Sequence, residues 1–308
     1  MQNQEFIHWL LKASTPSIRY LTLRRLLRRP MTDDDVQEAW EAMKIHAPIP
    51  VILEEQTASG SWASEHSFYT PKYTSTHWSM VLMAELSADG NDPHLKRGAA
   101  YMLSQMKNRV LKWIDESDHG LTCLWGNVLR YVLHCGFEDD QRVASILEKI
   151  IRDAVKSGWR CPYNYEQPCA WGAGRALWGL AALPVQLKNA EVEMAVQSGV
   201  NFLLEKYSLI DANYPNPGNI HPIWFRMNFP LFYQTDILFV LRVIAELGMI
   251  DHPGAQPAVD WLRSRRMSNG HWRGASPFRG RTWKVFGSRD ETNRWVSLHT
   301  AMVLDYIE

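Results

Sequence analysis

Three times the chain leaves a helical stretch through a glycine beside a tryptophan, at Gly60-Ser61-Trp62, Gly158-Trp159 and Gly270-His271-Trp272. Glycine stops a helix readily because it enters left-handed backbone conformations without a steric penalty. A large ring just after each stop marks one copy of a repeat, and a period of tens of residues is the signature of stacked helical units. No single unit of that kind can bury its own apolar face, so the units must pack against one another. The second copy runs directly into Cys161 and Cys169, which places repeat punctuation and reactive side chains in one loop.

Hydrophobic periodicity makes the chain helical nearly throughout. Segments apolar on most faces, Ser17–Leu27, Thr76–Leu86, Cys123–Leu133, Ala170–Leu183, Asp236–Leu247 and Val296–Ile307, need partners on all sides and belong inside. Segments with one charged face, Asp34–Met43, Pro93–Gln105, Gln141–Lys156, Glu191–Glu205 and Ala255–Arg266, read as outer helices. Gln4–Lys12 supplies a sixth outer partner. The expected fold is all-α, a single domain over residues 1–308 in which six inner and six outer helices close an (α/α)6 toroid.

The connections are unequal in length. Inner-to-outer turns are short and carry capping residues, as in Asp89-Gly90-Asn91-Asp92-Pro93, Glu138-Asp139-Asp140 and Asp251-His252-Pro253-Gly254, where Asp or Asn precedes the first turn and Pro opens it. Outer-to-inner connections are long, above all Lys206–Thr235 and Asn269–Arg294, and rich in aromatic residues and arginine. Long loops gathered on one face of a ring mark the expected mouth of a central cavity.

Composition removes several classes of function. Lys plus Arg and Asp plus Glu balance at 33 each, so no net positive field draws the chain to nucleic acid or an anionic membrane. No stretch is long and apolar enough to cross a bilayer, and Met1 to Ser14 lacks the basic start and apolar run of a secretion signal. Four cysteines in 308 residues argue for free thiols in a reducing cytoplasm.

The segments Ser17-Ile18-Arg19-Tyr20-Leu21-Thr22-Leu23, Tyr73-Thr74-Ser75-Thr76-His77-Trp78, Cys123-Leu124-Trp125-Gly126-Asn127, Gly158-Trp159-Arg160-Cys161 and Cys169-Ala170-Trp171-Gly172 resemble bacterial proteins built of prenyltransferase or squalene-cyclase repeats. The resemblance covers most of the chain. It implies a toroid like that of terpenoid cyclases and protein prenyltransferase β subunits, without implying a reaction. The Asp-x-Asp-Asp acid motif of the cyclases has no counterpart here. Asp33-Asp34-Asp35 and Asp139-Asp140 instead open outer helices, where carboxylates cap and oppose the helix dipole. Against the zinc site that the prenyltransferases imply, Cys169 follows Gln167 where an aspartate would stand, while His299 in Leu298-His299-Thr300 occupies a matching position.

A cluster particular to this chain remains. Cys123 and Cys169 start consecutive inner helices, Cys161 lies in the loop before Cys169, and His77 starts the preceding inner helix. Three readings stay open for these residues, the first being that the thiols pack as small hydrophobes and His77 is a hydrogen-bonded core histidine. Three thiolates and an imidazole form a ligand set for tetrahedral Zn2+, or the thiols, activated at helix N-termini, act as nucleophiles or acid/base groups. Cys161, Cys169 and Asp236 are the candidate catalytic residues, with helix capping as the competing role for Asp236. Cys135, late in its helix, reads as core packing.

Tyr73, Trp125, Trp171 and Tyr233 are candidate walls of the cavity, with Tyr163, Tyr165 and Trp224 beside them. Arg273, Arg279, Arg281, Arg289 and Arg294 crowd the last loop, as an anion site or as solvated rim charge. Glu65, Glu166 and Asp236 are too scattered for the paired carboxylates of sugar hydrolysis. The expected function is an enzyme of transferase, lyase or isomerase type, taking a small apolar, isoprenoid-like substrate and no organic cofactor. The alternative is a non-catalytic toroid with a structural cysteine site and a loop face that binds a partner.

Overall fold

A computed structural model describes residues 4–105, 120–214, 218–286 and 288–305. These form α1 (Gln4–Leu11), α2 (Pro16–Leu21), α3 (Asp34–Ile45), α4 (Ile49–Glu54), α5 (Thr76–Glu85), α6 (Pro93–Gln105), α7 (Thr122–His134), α8 (Gln141–Val155), α9 (Ala170–Ala181), α10 (Ala190–Asn201), α11 (Ile237–Glu246), α12 (Gln256–Ser264) and α13 (Arg289–Asp305). Arg160–Cys161 (β1) and Gln167–Pro168 (β2) make one short antiparallel hairpin. The fold is all-α apart from that hairpin. Residues 306 and 307, the expected end of the last inner helix, lie outside the described residues.

The apolar segments are indeed interior. In α5 every residue except Ala84 is buried, and in α11 every residue except Arg242 and Glu246. The charged-face helices bury one stripe only. In α8, Val143, Ile146, Ile150 and Ala154 point inward at the spacing of an amphipathic helix. Interior helices pack in chain order, α5 on α7, α7 on α9, α9 on α11, α11 on α13, and α13 back on α2. The α7 and α9 contact is the most extensive because glycines let the backbones approach. A Cβ on Gly126 would lie 2.2 Å from the Arg175 carbonyl oxygen, and one on Gly179 would lie 2.6 Å from that of Gly126.

Three boundaries differ from expectation. α2 stops at Leu21 and continues as a π-helical turn over Thr22–Leu26, where the Thr22 hydroxyl donates back to the Ile18 carbonyl at 2.7 Å. α10 continues likewise as a π-helical turn over Phe202–Lys206. The short α4 was not anticipated from the sequence, with Pro48 at its N-cap and Pro50 in its first turn. Proline is nonetheless tolerated in a first turn, whose N–H groups have no intrahelical partner.

The acidic runs act as caps. Asp33 accepts from the Val36 N–H at 3.3 Å and Asp140 from the Arg142 N–H at 2.9 Å. The Gly-Trp punctuation also has a common structure in two of its copies. The Trp62 indole donates to the Ile52 carbonyl at 2.6 Å and its backbone N–H to Thr76 Oγ1 at 3.0 Å. Trp272 repeats this on Leu262 at 2.7 Å and Ser297 Oγ at 2.9 Å. Each ring thus ties the end of an outer helix to the next interior one. The third copy departs, its Trp159 indole donating to Ser198 Oγ at 3.2 Å.

The long loops are packed on each other. Asn228 and Ala275 form a parallel bridge, with Phe229 N–H donating to the Ala275 carbonyl at 2.9 Å and Ala275 N–H to the Met227 carbonyl at 2.8 Å. Tyr73 sits between Phe232 and Phe278, at ring separations of 4.6 and 4.7 Å. The chain ends are also joined. Glu291 accepts the Ser14 and Thr15 N–H groups at 3.1 and 3.2 Å, and the Trp9 ring stacks on His271 at 3.7 Å.

Candidate functional site

The thiols lie where local sequence puts them. Gly158, Trp159, Tyr165 and Glu166 all take positive φ and fold the chain into the β1–β2 hairpin, which delivers Cys161 to a buried position and Cys169 to the start of α9. Cys169 Sγ accepts the Gly172 N–H at 3.3 Å, so the thiol caps its helix. Cys123, in the first turn of α7, is close enough to Cys161 and Cys169 to feel both electrostatically. Burial pushes Cys123 up to about 12 and Cys169 up to about 11. Desolvation thus opposes the activation expected at helix N-termini. A helix terminus contributes at most about 2 kcal/mol, whereas a shift of three units against the thiolate is about 4 kcal/mol.

His77 does not join the thiols. Its Nδ1 lies 3.2 Å from the Tyr131 hydroxyl and its ring packs on Trp78 at 4.5 Å. Burial and the Arg175 charge hold its pKa down to about 3. Among the described residues, no group of three His, Cys, Asp or Glu side chains is placed to hold a metal ion. The ligand set expected of His77, Cys123, Cys161 and Cys169 is thus not assembled. Cys135 is core, as expected, with Sγ 3.8 Å from the Leu95 carbonyl.

Of the expected cavity walls, Tyr73 and Trp125 are packed in the interior at 2% and 1% exposure. Trp171 and Tyr233 are half-buried and meet edge to face at 5.9 Å, with the Lys72 ammonium 5.1 Å over Tyr233. The last-loop arginines serve packing in part. Arg281 lies over Tyr73 at 4.8 Å, Arg279 bonds Thr292 at 3.3 Å, and Arg294 pairs with Asp290 at 2.9 Å and covers Trp9 at 4.8 Å.

Asp236 is the N-cap of α11. Its Oδ1 accepts the Phe239 N–H at 2.8 Å, and its Oδ2 accepts both Asn228 Nδ2 and the Asn228 N–H at 2.7 Å. Burial raises its pKa to about 6 in spite of these donors. The capping role is the one its geometry fills, and Asn228 is held by it.

The opposite end of the interior helices carries a feature that sequence reasoning missed. A cavity of about 100 Å3 is lined by Leu21 and Arg25 from α2 and its π-helical turn, Glu85 from α5, Arg130 from α7, Trp178 from α9, Arg242 and Glu246 from α11, and His299 from α13. Arg242 grips Glu85 Oε2 with both terminal nitrogens at 3.2 Å. Arg130 pairs with Glu246 at 2.6 Å and lies over the Trp178 ring at 5.0 Å. Glu85 Oε1 and His299 Nε2 are buried without a hydrogen-bond partner among the described residues. Burial lowers His299 well below the ordinary imidazole value, so it is neutral at pH 7. Deeper in, fully buried Arg175 donates to the Gln234 carbonyl at 2.7 Å; burial lowers it to about 9 and it stays cationic.

The available signal for this pocket was the lone charge within an apolar helix. Glu85, Arg130, Arg175 and Arg242 each interrupt an interior segment, and buried charge is the exception that calls for a partner. No protein-family model, no curated protein and no solved structure matches this chain.

Proposed function

We propose that the helices close into an (α/α)6 toroid whose axial pocket binds a small anionic molecule. The chain-order packing of the interior helices supports the ring, as does a pocket to which all six contribute. The ligand reading rests on the pocket wall. Arg25, Arg130 and Arg242 face Glu85 and Glu246 there, leaving one cation in excess, and Arg25 has no ion pair among the described residues. Arginine forks suit carboxylate and phosphate groups, and Arg25, Arg130 and Arg242 present three of them to this pocket.

At about 100 Å3 the pocket is smaller than the roughly 150 Å3 cavity that takes a benzene ring, so the enclosed part of the ligand is small. An isoprenoid-like substrate would exceed this volume and strip water from charges it cannot bond. The transferase, lyase or isomerase reading with an apolar substrate retains the half-buried Trp171 and Tyr233 surface near the thiols as its place of test. The axial pocket carries the stronger case because its orphaned polar atoms require a partner.

Calorimetric titration with succinate, with inorganic phosphate and with geraniol separates the two. Succinate or phosphate should bind, and Arg25→Ala, a change at an exposed residue, should weaken binding about tenfold, the loss of roughly 1.5 kcal/mol for a hydrogen bond to a charged group. Binding of geraniol alone would overturn the assignment.

A further inference from the structure

Behind the axial pocket lies a chamber of about 10 Å3 lined by Glu85, Asn228, Asp236, Arg242 and His299, among others. Chamber and pocket share Glu85, Arg242 and His299, so the two adjoin. Three atoms of its lining residues, Glu85 Oε1, Asn228 Oδ1 and His299 Nε2, are buried and have no hydrogen-bond partner among the described residues. Their side chains belong to residues 7%, 5% and 2% exposed. Each such orphan costs about 1–3 kcal/mol unless something bonds to it. A volume of about 10–15 Å3 with two to four polar partners is what one water molecule needs.

We infer that Glu85, Asn228 and His299 hold one water molecule at the inner end of the axial pocket, and that Glu85 activates it to hydrolyse a small acyl compound bearing an anionic group. This inference rests on the anion-binding reading of the pocket. The competing occupant, a metal cation, is opposed by the Arg242 guanidinium on the same wall.

The geometry divides the work within one carboxylate. Arg242 fixes Oε2 at 3.2 Å through both terminal nitrogens, which orients Oε1 and leaves it available to the water. Glu85 Oε1 and Asn228 Oδ1 accept the two water protons, so neutral His299 bonds the water as the Nε2–H tautomer, donating to its oxygen. In the reaction, Glu85 Oε1 takes a proton from the water as its oxygen forms a bond to the acyl carbon. The carbonyl π pair moves onto the carbonyl oxygen, where the arginines of the wall oppose the charge. Collapse of the adduct restores the carbonyl and breaks the bond to the leaving group, which recovers the proton from Glu85. Water and acyl compound are consumed, acid and leaving group are released, and no oxidant or reductant is involved. Glu85 is the catalytic residue, while Asn228 and His299 position the water.

Two measurements test this. A crystal structure at about 1.5 Å without added ligand should show one water within hydrogen-bonding distance of all three atoms; absent density, or a site at the 2.0–2.6 Å separations of a metal cation, would overturn the inference. Hydrolysis of monomethyl succinate should exceed that of neutral methyl acetate. Glu85→Gln should lower kcat at least about 100-fold, with succinate affinity within a few-fold of wild type. His299→Gln, which avoids altering the ion pair, should lower kcat with KM unchanged and remove or displace the water. Succinate binding without hydrolysis would refute the hydrolytic role and leave the pocket reading standing. If neither succinate nor phosphate binds, the pocket reading fails and this inference with it.

Discussion

Replacing the three punctuating glycines by alanine, one at a time, separates backbone conformation from steric fit. All three hold positive φ, 88° at Gly60, 59° at Gly158 and 81° at Gly270. Alanine in that region costs about 1–2 kcal/mol, offset by about 0.4–1 kcal/mol because the unfolded chain stiffens. At Gly158 nothing lies within 4 Å of the new Cβ, so the net loss is about 1 kcal/mol or less. At Gly270 the Cβ meets only the end of the Arg266 side chain, at 3.3 Å, which can swing away, so the loss is about 1 kcal/mol. At Gly60 the Cβ would stand 2.8 Å from the Arg97 carbonyl oxygen, backbone of α6 that cannot move alone. Overpacking there adds about 1–3 kcal/mol, for a total of about 2–4 kcal/mol. Urea unfolding followed by tryptophan fluorescence reads the order from the midpoints, provided the slopes agree. A Gly158→Ala loss equal to that of Gly60→Ala would refute the argument, because the two sites differ chiefly in the neighbouring backbone.

Other outcomes follow from buried charge. Lys149 Nζ pairs with Asp153 Oδ1 at 2.6 Å, both side chains being essentially inaccessible, so Lys149→Met should destabilise by about 3–5 kcal/mol; a loss below about 1 kcal/mol in the same unfolding assay would show the pair to be solvated. His77, held to about 3, stays neutral in the fold where the unfolded chain is protonated, so it favours unfolding as pH falls from about 6.5 towards 3. His77→Phe should therefore flatten the rise of stability with pH by up to about 1.4 kcal/mol per unit across that window. Asp236, raised to about 6, acts in the opposite sense, keeping a proton that the unfolded chain gives up near 3.8. Asp236→Asn should steepen the rise between about pH 4 and 6 by the same amount, and an unchanged slope would contradict its burial. With Cys169 pushed to about 11 and a free thiol near 8.5, iodoacetamide at pH 8 should modify it about 100-fold more slowly than a free cysteine; free-thiol rates would restore the activated-thiolate reading.

Helix type and position were legible because they depend on short-range patterns. The apolar run in α5 and the inward stripe of α8 predict interior and outer helices, and Asp33, Asp140 and Asp236 sit at N-caps as their positions imply. The Gly-Trp repeat was legible too, but not the carbonyls that Trp62 and Trp272 bond, each ten residues earlier. The π-helical turns were not, because nothing in their sequences distinguishes them from α-helix. The pocket lined by Glu85, Arg130 and Arg242 was not legible for a related reason. Long aromatic loops resemble the rim of a mouth, but these aromatics meet each other, as Tyr73, Phe232 and Phe278 do.

By itself the sequence determined an all-α chain, its interior and outer helices, their caps and the Gly-Trp punctuation, all set by side chains within a few turns of one another. Only the tertiary structure decided which charges meet. Glu85 and Arg242 are 157 residues apart, and six helices must converge before Glu85, Arg242 and His299 share one wall. Periodicity reports which face of a helix is buried, not what the opposing helix presents at that depth. It also carries no measure of desolvation, which raises the pKa of the thiols at the starts of α7 and α9 and leaves two orphaned polar atoms facing a pocket at the other end of the molecule.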